Sequence, residues 1–179
     1  MRADTGFMLK VVAFAAEKHR NQRRKDPEAS PYINHPIALA KVLVNEGGVF
    51  DTNVLAAALL HDTVEDTATT RKQLQRSFGA KIAGIVAEVT DDKRHSKAKR
   101  KALQIRHAAA ISPEAKLVKL ADKICNVRDV ASRPPAHWDR QRQREYFEWA
   151  KRVVDRMRGT NPKLEAAFDR AYAKRSRLA

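Results

Sequence analysis

An apolar stretch that ends at Leu60 is followed at once by a histidine and three carboxylates. This junction constrains the fold more than any other feature of the chain. The four polar residues are His61, Asp62, Glu65 and Asp66. Burial of charged groups is costly unless a metal ion or an opposite charge compensates them. We therefore expect a buried helix that carries this cluster to a cation site or to a wet cavity.

The hydrophobic pattern is helical along the whole chain. Apolar residues recur at helical spacing, and no segment alternates as a strand bounded by hairpin turns does. Seven predicted helices cover residues 5–19, 36–46, 71–78, 82–89, 97–111, 113–133 and 138–158. Another runs from a cap at Asp51 or Thr52 through Asp66, and a last one starts at Pro162. We predict an all-α fold, a single helical-bundle domain over residues 1–179 with about eight to ten helices.

The composition favours anionic partners and excludes several classes of protein. A formal net charge of +15 attracts nucleotides, nucleic acids or acidic surfaces. The single cysteine, Cys125, excludes an intrachain disulfide. No apolar run approaches the roughly 20 residues that span a bilayer, and the N-terminus lacks a secretory signal. We expect a cytoplasmic protein without a membrane partner.

A second helix carries one narrow polar stripe on an otherwise apolar surface. At about 100° per residue, Asp122, Lys123 and Asn126 all lie within about 60° of Lys119. The remaining positions from residue 117 to residue 127 are apolar. Such a stripe on a helix built for burial faces a cavity or a partner.

His35 lies just before Pro36, at the start of a predicted helix. With His61, Asp62 and Asp122 it would complete a set of two nitrogen and two carboxylate ligands, which suits Mn²⁺, Fe²⁺, Co²⁺, Ni²⁺ or Zn²⁺. A capping or core role for His35 is the alternative. The other histidines lack a matching carboxylate pattern and are predicted to be surface or packing residues: His19, His95, His107 and His137.

These motifs, in this order, resemble the HD-domain metal-dependent phosphohydrolases. They are more similar still to the hydrolase domain of the RelA/SpoT alarmone enzymes, and among these to the small stand-alone alarmone hydrolases. The resemblance covers nearly the whole chain. The segments that carry it are Arg24-Lys25, residues 31–36, residues 57–67, Phe78-Gly79, residues 89–93, residues 119–123 and residues 146–150.

The resemblance implies hydrolysis of guanosine 3′-diphosphate 5′-di- or triphosphate (ppGpp or pppGpp). The products would be GDP or GTP and pyrophosphate, and the reaction would lower the alarmone in the stringent response. The resemblance also implies that Glu65 and Asp66 position and deprotonate the attacking water. The implied cofactor is one Mn²⁺ per chain, held by His35, His61, Asp62 and Asp122.

Seven further side chains are predicted to contact the substrate: Arg24, Lys25, Tyr32, Lys97, Asn126, Arg142 and Tyr146. The resemblance implies that Arg24 and Lys25 pack near the guanine or the phosphates and that Asn126 contacts the nucleoside. Basic clusters suggest Lys97 and Arg142 as clamps for the terminal phosphates, with a solvated helix face as the alternative. Tyr146 would stack on the ribose or base, or serve as a core aromatic.

Two departures from the family pattern concern the surroundings of the site. Cys125 stands where many long members carry histidine, which affects little in the prediction. Asp26–Ser30 follow the Arg-Lys pair in place of a shorter glycine-containing turn, so the loop beside the nucleobase has its own shape here.

Two other functions remain open on the residues alone. One is an HD phosphohydrolase that acts on another nucleotide, such as the 2′-phosphate of NADPH. The other is a basic helical module that binds nucleic acid and keeps a vestigial metal site, whose binding would be salt-sensitive and survive chelation. The intact ligand set and Glu-Asp pair argue against the module, so we expect no nucleic-acid partner. Both a monomer and a homodimer are compatible with the sequence.

Overall fold

Ten α-helices form the regular structure of the computed structural model, which describes residues 5–175. The helices are α1 (Thr5–Lys18), α2 (Asn34–Asn45), α3 (Thr52–Leu60), α4 (Thr63–Asp66), α5 (Arg71–Phe78), α6 (Ala80–Val89), α7 (Lys97–His107), α8 (Pro113–Ser132), α9 (Arg140–Asp155) and α10 (Pro162–Ala173). Within the described range no strand forms, so the all-α prediction and the expected number of helices are confirmed. The predicted domain bounds, residues 1–179, extend beyond the described residues at both ends.

The apolar helix α3 lies at the centre of the fold. Every side chain from Val54 to Leu60 is buried, and the helix packs against α1, α2, α6 and α8. The Asp51 carboxylate caps its start by accepting from the N–H groups of Asn53 and Val54. The polar cluster that follows α3 therefore emerges from the middle of the core.

The helix through His61 is interrupted, which corrects the prediction of a continuous helix to Asp66. Helix α3 ends at Leu60, and α4 is a separate single turn. The Thr63 hydroxyl donates to the Leu60 carbonyl at 2.7 Å, and such a side-chain bond competes with the helical ladder. The backbone at His61 and Asp62 stays in the right-handed helical region. The polar side chains consequently keep a common direction despite the break.

Two helices that border the site are shorter than predicted. Helix α7 ends at His107 rather than at residue 111, and it contains no fully buried side chain. Helix α9 begins at Arg140 because the Asp139 carboxylate caps it by accepting from Arg142 N. Trp138 is thereby left outside the helix, in the loop before it.

Helix α8 links the core to the polar side of the molecule. Ser112 caps its start, and the helix packs against α2, α3, α6, α9 and α10. Lys119 and Lys123 on its polar stripe are only 7% and 4% exposed, so the stripe faces the interior rather than bulk water. No helix within residues 5–175 combines the length and apolar character that crossing a bilayer requires.

Candidate active site

A cavity of about 670 Å³ lies between the end of α3, α4 and α8 on one side and α7 and α9 on the other. The structure brings to its wall every residue that the sequence predicts as a ligand, base or substrate contact. These are Arg24, Lys25, Tyr32, His35, His61, Asp62, Glu65, Asp66, Lys97, Asp122, Asn126, Arg142 and Tyr146. Residues from distant segments of the chain therefore line one cavity, where they can act on a single substrate; their individual roles are predictions.

Two histidines and two aspartates form a compact cluster at one end of the cavity. Ligand atoms of His35, His61 and Asp62 all lie within 4.8 Å of one another. Oδ1 of Asp122 lies 3.3 Å from His35 Nε2 and 4.0 Å from His61 Nε2. Both imidazoles are buried, so the cluster is held in a solvent-poor environment where unpaired charge is costly.

The hydrogen bonding of His61 fits a metal-ligand role. Its Nδ1 lies 2.8 Å from the Ala58 carbonyl, which can only accept, so this nitrogen carries the proton. Nε2 lies 2.8 Å from Asp62 Oδ2 and has no hydrogen-bond partner within the described range, so it is the nitrogen that a metal ion would bind in place of a proton. Burial lowers the pKa of His61, but the Asp62 charge outweighs it and raises the pKa to about 9. A divalent cation would satisfy the same electrostatic demand, and this donor set suits a transition metal ion.

The Tyr32 hydroxyl donates to Asp62 Oδ2 at 2.5 Å. Burial raises the pKa of Tyr32, and the neighbouring Asp62 carboxylate raises it further, so the phenol keeps its proton and remains a donor. Tyr32 lines the cavity, as expected for a substrate contact, and it also fixes the direction of a candidate ligand. Outer groups of this kind tune metal affinity.

Tyr32→Phe is expected to weaken Mn²⁺ binding about tenfold, because Asp62 loses the donor that orients it. Isothermal titration of the metal-stripped protein with Mn²⁺ measures the effect. Tyr172→Phe is the matched control, since the Tyr172 hydroxyl donates to Glu148, outside this cavity. Unchanged Mn²⁺ affinity in Tyr32→Phe would show that the hydroxyl does not act on a metal ligand.

The two acidic residues of α4 are held in different ways. Asp66 accepts from Gln22 Nε2 at 3.0 Å on one oxygen and from Lys93 Nζ at 2.5 Å on the other. Glu65 accepts from the Asp91 backbone N–H at 2.9 Å through Oε2, while no described residue donates to Oε1. Burial raises the pKa of Glu65, and nearby carboxylates add to the shift. Glu65 therefore has the free oxygen and the raised basicity that proton acceptance requires.

The opposite end of the cavity carries closely spaced positive charge. Lys97 and Arg142 lie over the Trp138 ring, at 5.9 and 4.8 Å from its centroid, and Lys101 lies 5.0 Å from the ring of Trp149. Burial lowers the pKa of Lys97, and the Arg142 charge lowers it further. Crowded cations of this kind favour an anion with several charges.

Arg24 and Asn126 form a continuous hydrogen-bonded path to the metal-ligand cluster. Arg24 Nη2 donates to Asn126 Oδ1 at 3.2 Å and to Asp129 Oδ2 at 2.7 Å. Asn126 Nδ2 in turn donates to Asp122 Oδ1 at 2.5 Å. Tyr146 lies between Trp138 and Trp149 in a row of aromatic rings and lines the cavity. It is thus a wall residue rather than a purely core aromatic.

Several lining residues were not predicted to have a role. Lys123 donates to Asp122 Oδ2 at 2.8 Å and lies 4.5 Å from the Trp149 ring centroid. Burial and the Lys123 charge lower the pKa of Lys119 to about 8. The polar stripe indicated that both lysines would face a cavity. Gln22, which holds Asp66 from outside this cavity, lies in an irregular segment and carries no periodic signal.

Comparison with known proteins adds independent findings. A family model described as an HD domain matches residues 11–150. The guanosine-3′,5′-bis(diphosphate) 3′-pyrophosphohydrolase MESH1 of Xenopus tropicalis is 54% identical over 172 residues, 96% of each chain. The Homo sapiens protein of the same name is 51% identical over 175 residues, 98% of each chain. A solved structure described as a metazoan ortholog of SpoT that hydrolyzes ppGpp superposes with a TM-score of 0.93 at 47% identity, over 98% of both chains.

Proposed function

We propose that this chain, which belongs to the HD-domain family and within it to the family of the MESH1 pyrophosphohydrolases, hydrolyses ppGpp or pppGpp. The products are GDP or GTP and pyrophosphate. The observation that carries the proposal is one cavity with an imidazole–carboxylate cluster and a poised glutamate at one end and crowded cations at the other. A nucleotide with a diphosphate on its 3′-oxygen requires the cluster and the glutamate to cleave its 3′-phosphate ester, and it requires the cations to bind its phosphates.

We propose His35, His61, Asp62 and Asp122 as the ligands of a divalent ion, with Mn²⁺ as the physiological metal. The chemistry that such an ion supplies when bound is polarisation of the 3′-phosphate and acidification of a water molecule. The protein's own contribution is orientation. The Ala58 carbonyl fixes the tautomer of His61, and the hydroxyl of Tyr32 fixes the direction of Asp62.

Glu65 is the proposed general base, and Asp66 is the proposed anchor for the water. Oε1 of Glu65 accepts the proton while the Asp91 N–H holds Oε2 in place. The water oxygen attacks the phosphorus nearest the ribose, and the 3′-oxygen leaves with the bonding electrons. A proton from solvent then restores the 3′-hydroxyl, pyrophosphate is released, and Glu65 returns its proton to solvent. Asp66 is less suited to the base role because both of its oxygens already accept hydrogen bonds.

The cations of α7 and α9 are the proposed phosphate clamps. The substrate carries about five or more negative charges, so binding depends on compensating charge that is already in place. Lys97 and Arg142 both lie over the Trp138 ring, so both positive charges face the same end of the cavity before the substrate arrives. Arg24, Lys25, Tyr32, Asn126 and Tyr146 are the proposed contacts of the nucleoside and its nearer phosphates.

The biological setting is also proposed. The chain would act as one domain over residues 1–179 in the cytoplasm, where it would lower alarmone levels during a stringent or starvation response. Its similarity to a metazoan ortholog of SpoT that plays a role in starvation responses supports this setting.

A Mn²⁺-dependent assay with ppGpp is the direct test of the proposed activity. We expect equimolar GDP and pyrophosphate, with turnover lost on chelation and restored by Mn²⁺. Ion-exchange chromatography of the nucleotides and an enzyme-coupled pyrophosphate assay measure the two products. Release of orthophosphate instead of pyrophosphate, or turnover of a 2′-phosphorylated nucleotide alone, would contradict the proposed reaction.

A further inference from the structure

His19 is a buried imidazole that the proposed reaction does not use. It follows the last residue of α1 and is 2% exposed. The irregular segment that begins beside it carries Arg24 and Tyr32 to the cavity. His19 does not line that cavity, yet it contacts two residues that touch the proposed machinery, Gln22 and Tyr32.

The first contact leads to Asp66. His19 Nδ1 lies 2.6 Å from Gln22 Oε1, and Gln22 Nε2 donates to Asp66 Oδ2 at 3.0 Å. Because the amide nitrogen faces Asp66, the oxygen faces His19 and can only accept. His19 must then carry its proton on Nδ1. Its Nε2 is buried and has no hydrogen-bond partner in the described part of the chain, so Gln22 alone selects the tautomer.

The second contact leads to Asp62. The His19 ring packs against the Tyr32 ring with centroids 4.9 Å apart and planes tilted by 30°, and the Tyr32 hydroxyl donates to Asp62. Backbone bonds tie the three residues together, since Gln22 N donates to His19 O and Tyr32 N donates to Gln22 O. One imidazole thus supports both halves of the site.

We propose that His19 is a positioning residue that orients Asp66 through Gln22 and supports Asp62 through Tyr32, an inference that rests on the proposed function. The His19 ring is buried and Gln22 is partly buried, so removal of the imidazole N–H leaves the Gln22 oxygen without its protein donor. The amide then loses its fixed orientation, and the hold on Asp66 weakens. The ring acts separately, by packing.

Two substitutions separate the two contacts. His19→Phe keeps the ring and removes the N–H, so kcat is expected to fall about tenfold while KM and Mn²⁺ affinity change less than about twofold. His19→Asn keeps an N–H near the Nδ1 position and removes the ring, so Mn²⁺ affinity should fall and kcat at saturating metal should fall less. Equal effects of both variants on kcat, KM and metal affinity would overturn the proposal. His107→Phe, at the exposed end of α7, is the matched control.

A double-mutant cycle distinguishes a relay from general loosening of the fold. If His19 acts through Gln22, adding His19→Phe to Gln22→Leu should lower kcat by less than about twofold more. If the fold-losses in kcat of the two single variants multiply in the double variant, the proposed action of His19 through Gln22 is wrong. Thermal denaturation of each variant identifies those that fail to fold. If a variant fails, the tautomer of His19 in the wild type, measured by NMR, tests the proposal instead.

Nitrogen-15 NMR of the imidazole tests the inference without catalysis. Wild-type His19 should show the Nδ1–H tautomer, and Gln22→Leu should shift the ring toward Nε2–H. An Nε2–H tautomer in the wild type would overturn the relay even in an active enzyme. Absence of pyrophosphate release, with the Nδ1–H tautomer present, would instead contradict the proposed function and leave the hydrogen-bonded relay intact.

Discussion

Asp122→Asn is expected to abolish metal binding and to lower kcat/KM by at least about 10³-fold. The substitution preserves volume and an oxygen that can accept from Asn126, so its main effect is the loss of one negative charge. Lys123, which donates to Asp122 and is only 4% exposed, becomes a buried cation without its partner. That positive charge, next to position 122, would repel a divalent ion. Metal content after dialysis, by elemental analysis, and the pyrophosphate assay measure the two losses.

Asp155→Asn is the matched control for this substitution. Asp155 lies at the exposed end of α9, where it accepts from Lys151, and its replacement should leave both metal content and turnover unchanged. Full activity of metal-stripped Asp122→Asn would overturn the proposed ligand set.

Glu65→Gln is expected to lower kcat by about 10²- to 10⁴-fold while metal binding is retained. The glutamine oxygen can still accept from the Asp91 N–H, so the loss is that of the base rather than of the local structure. Because burial raises the pKa of Glu65, the wild-type rate should fall with decreasing pH through a pKa above the usual glutamate value of about 4.3. That acidic limb should be absent from the kcat profile of the variant.

Glu148→Gln, on the outer face of α9, is the control for Glu65→Gln and should behave as the wild type. Two outcomes would reassign the roles. Loss of the metal in Glu65→Gln would make Glu65 a ligand. A normal rate in Glu65→Gln together with an inactive Asp66→Asn would make Asp66 the base.

Helical periodicity accounts for what the sequence predicted well. The apolar run before His61, the cap at Asp51 and the polar stripe through Asp122 are local patterns, and each has its counterpart in the structure. The break after Leu60 was missed because hydrophobic periodicity continues through it; the only local signal is Thr63, whose hydroxyl donates to the Leu60 carbonyl.

The contacts that distinguish Glu65 from Asp66 were beyond the reach of periodicity. Gln22 lies 44 residues from Asp66 along the chain, and Lys93 lies 27 residues from it. Both partners lie in irregular segments, where no repeating pattern relates a residue to the element it will touch. Only the folded geometry shows that Asp66 is doubly held while Glu65 keeps a free oxygen.

Helix α7 supplies proposed phosphate clamps and yet has no fully buried side chain. Its ties to the rest of the fold include the Trp149 indole N–H donating to Lys101 O and Gln104 Nε2 donating to Asp91 Oδ2. A helix held this way opens locally at a lower free-energy cost than global unfolding. The free-energy cost of ordering this helix then reduces the net affinity for the substrate. A tightly bound polyphosphate would slow amide hydrogen exchange in α7 more than in α3.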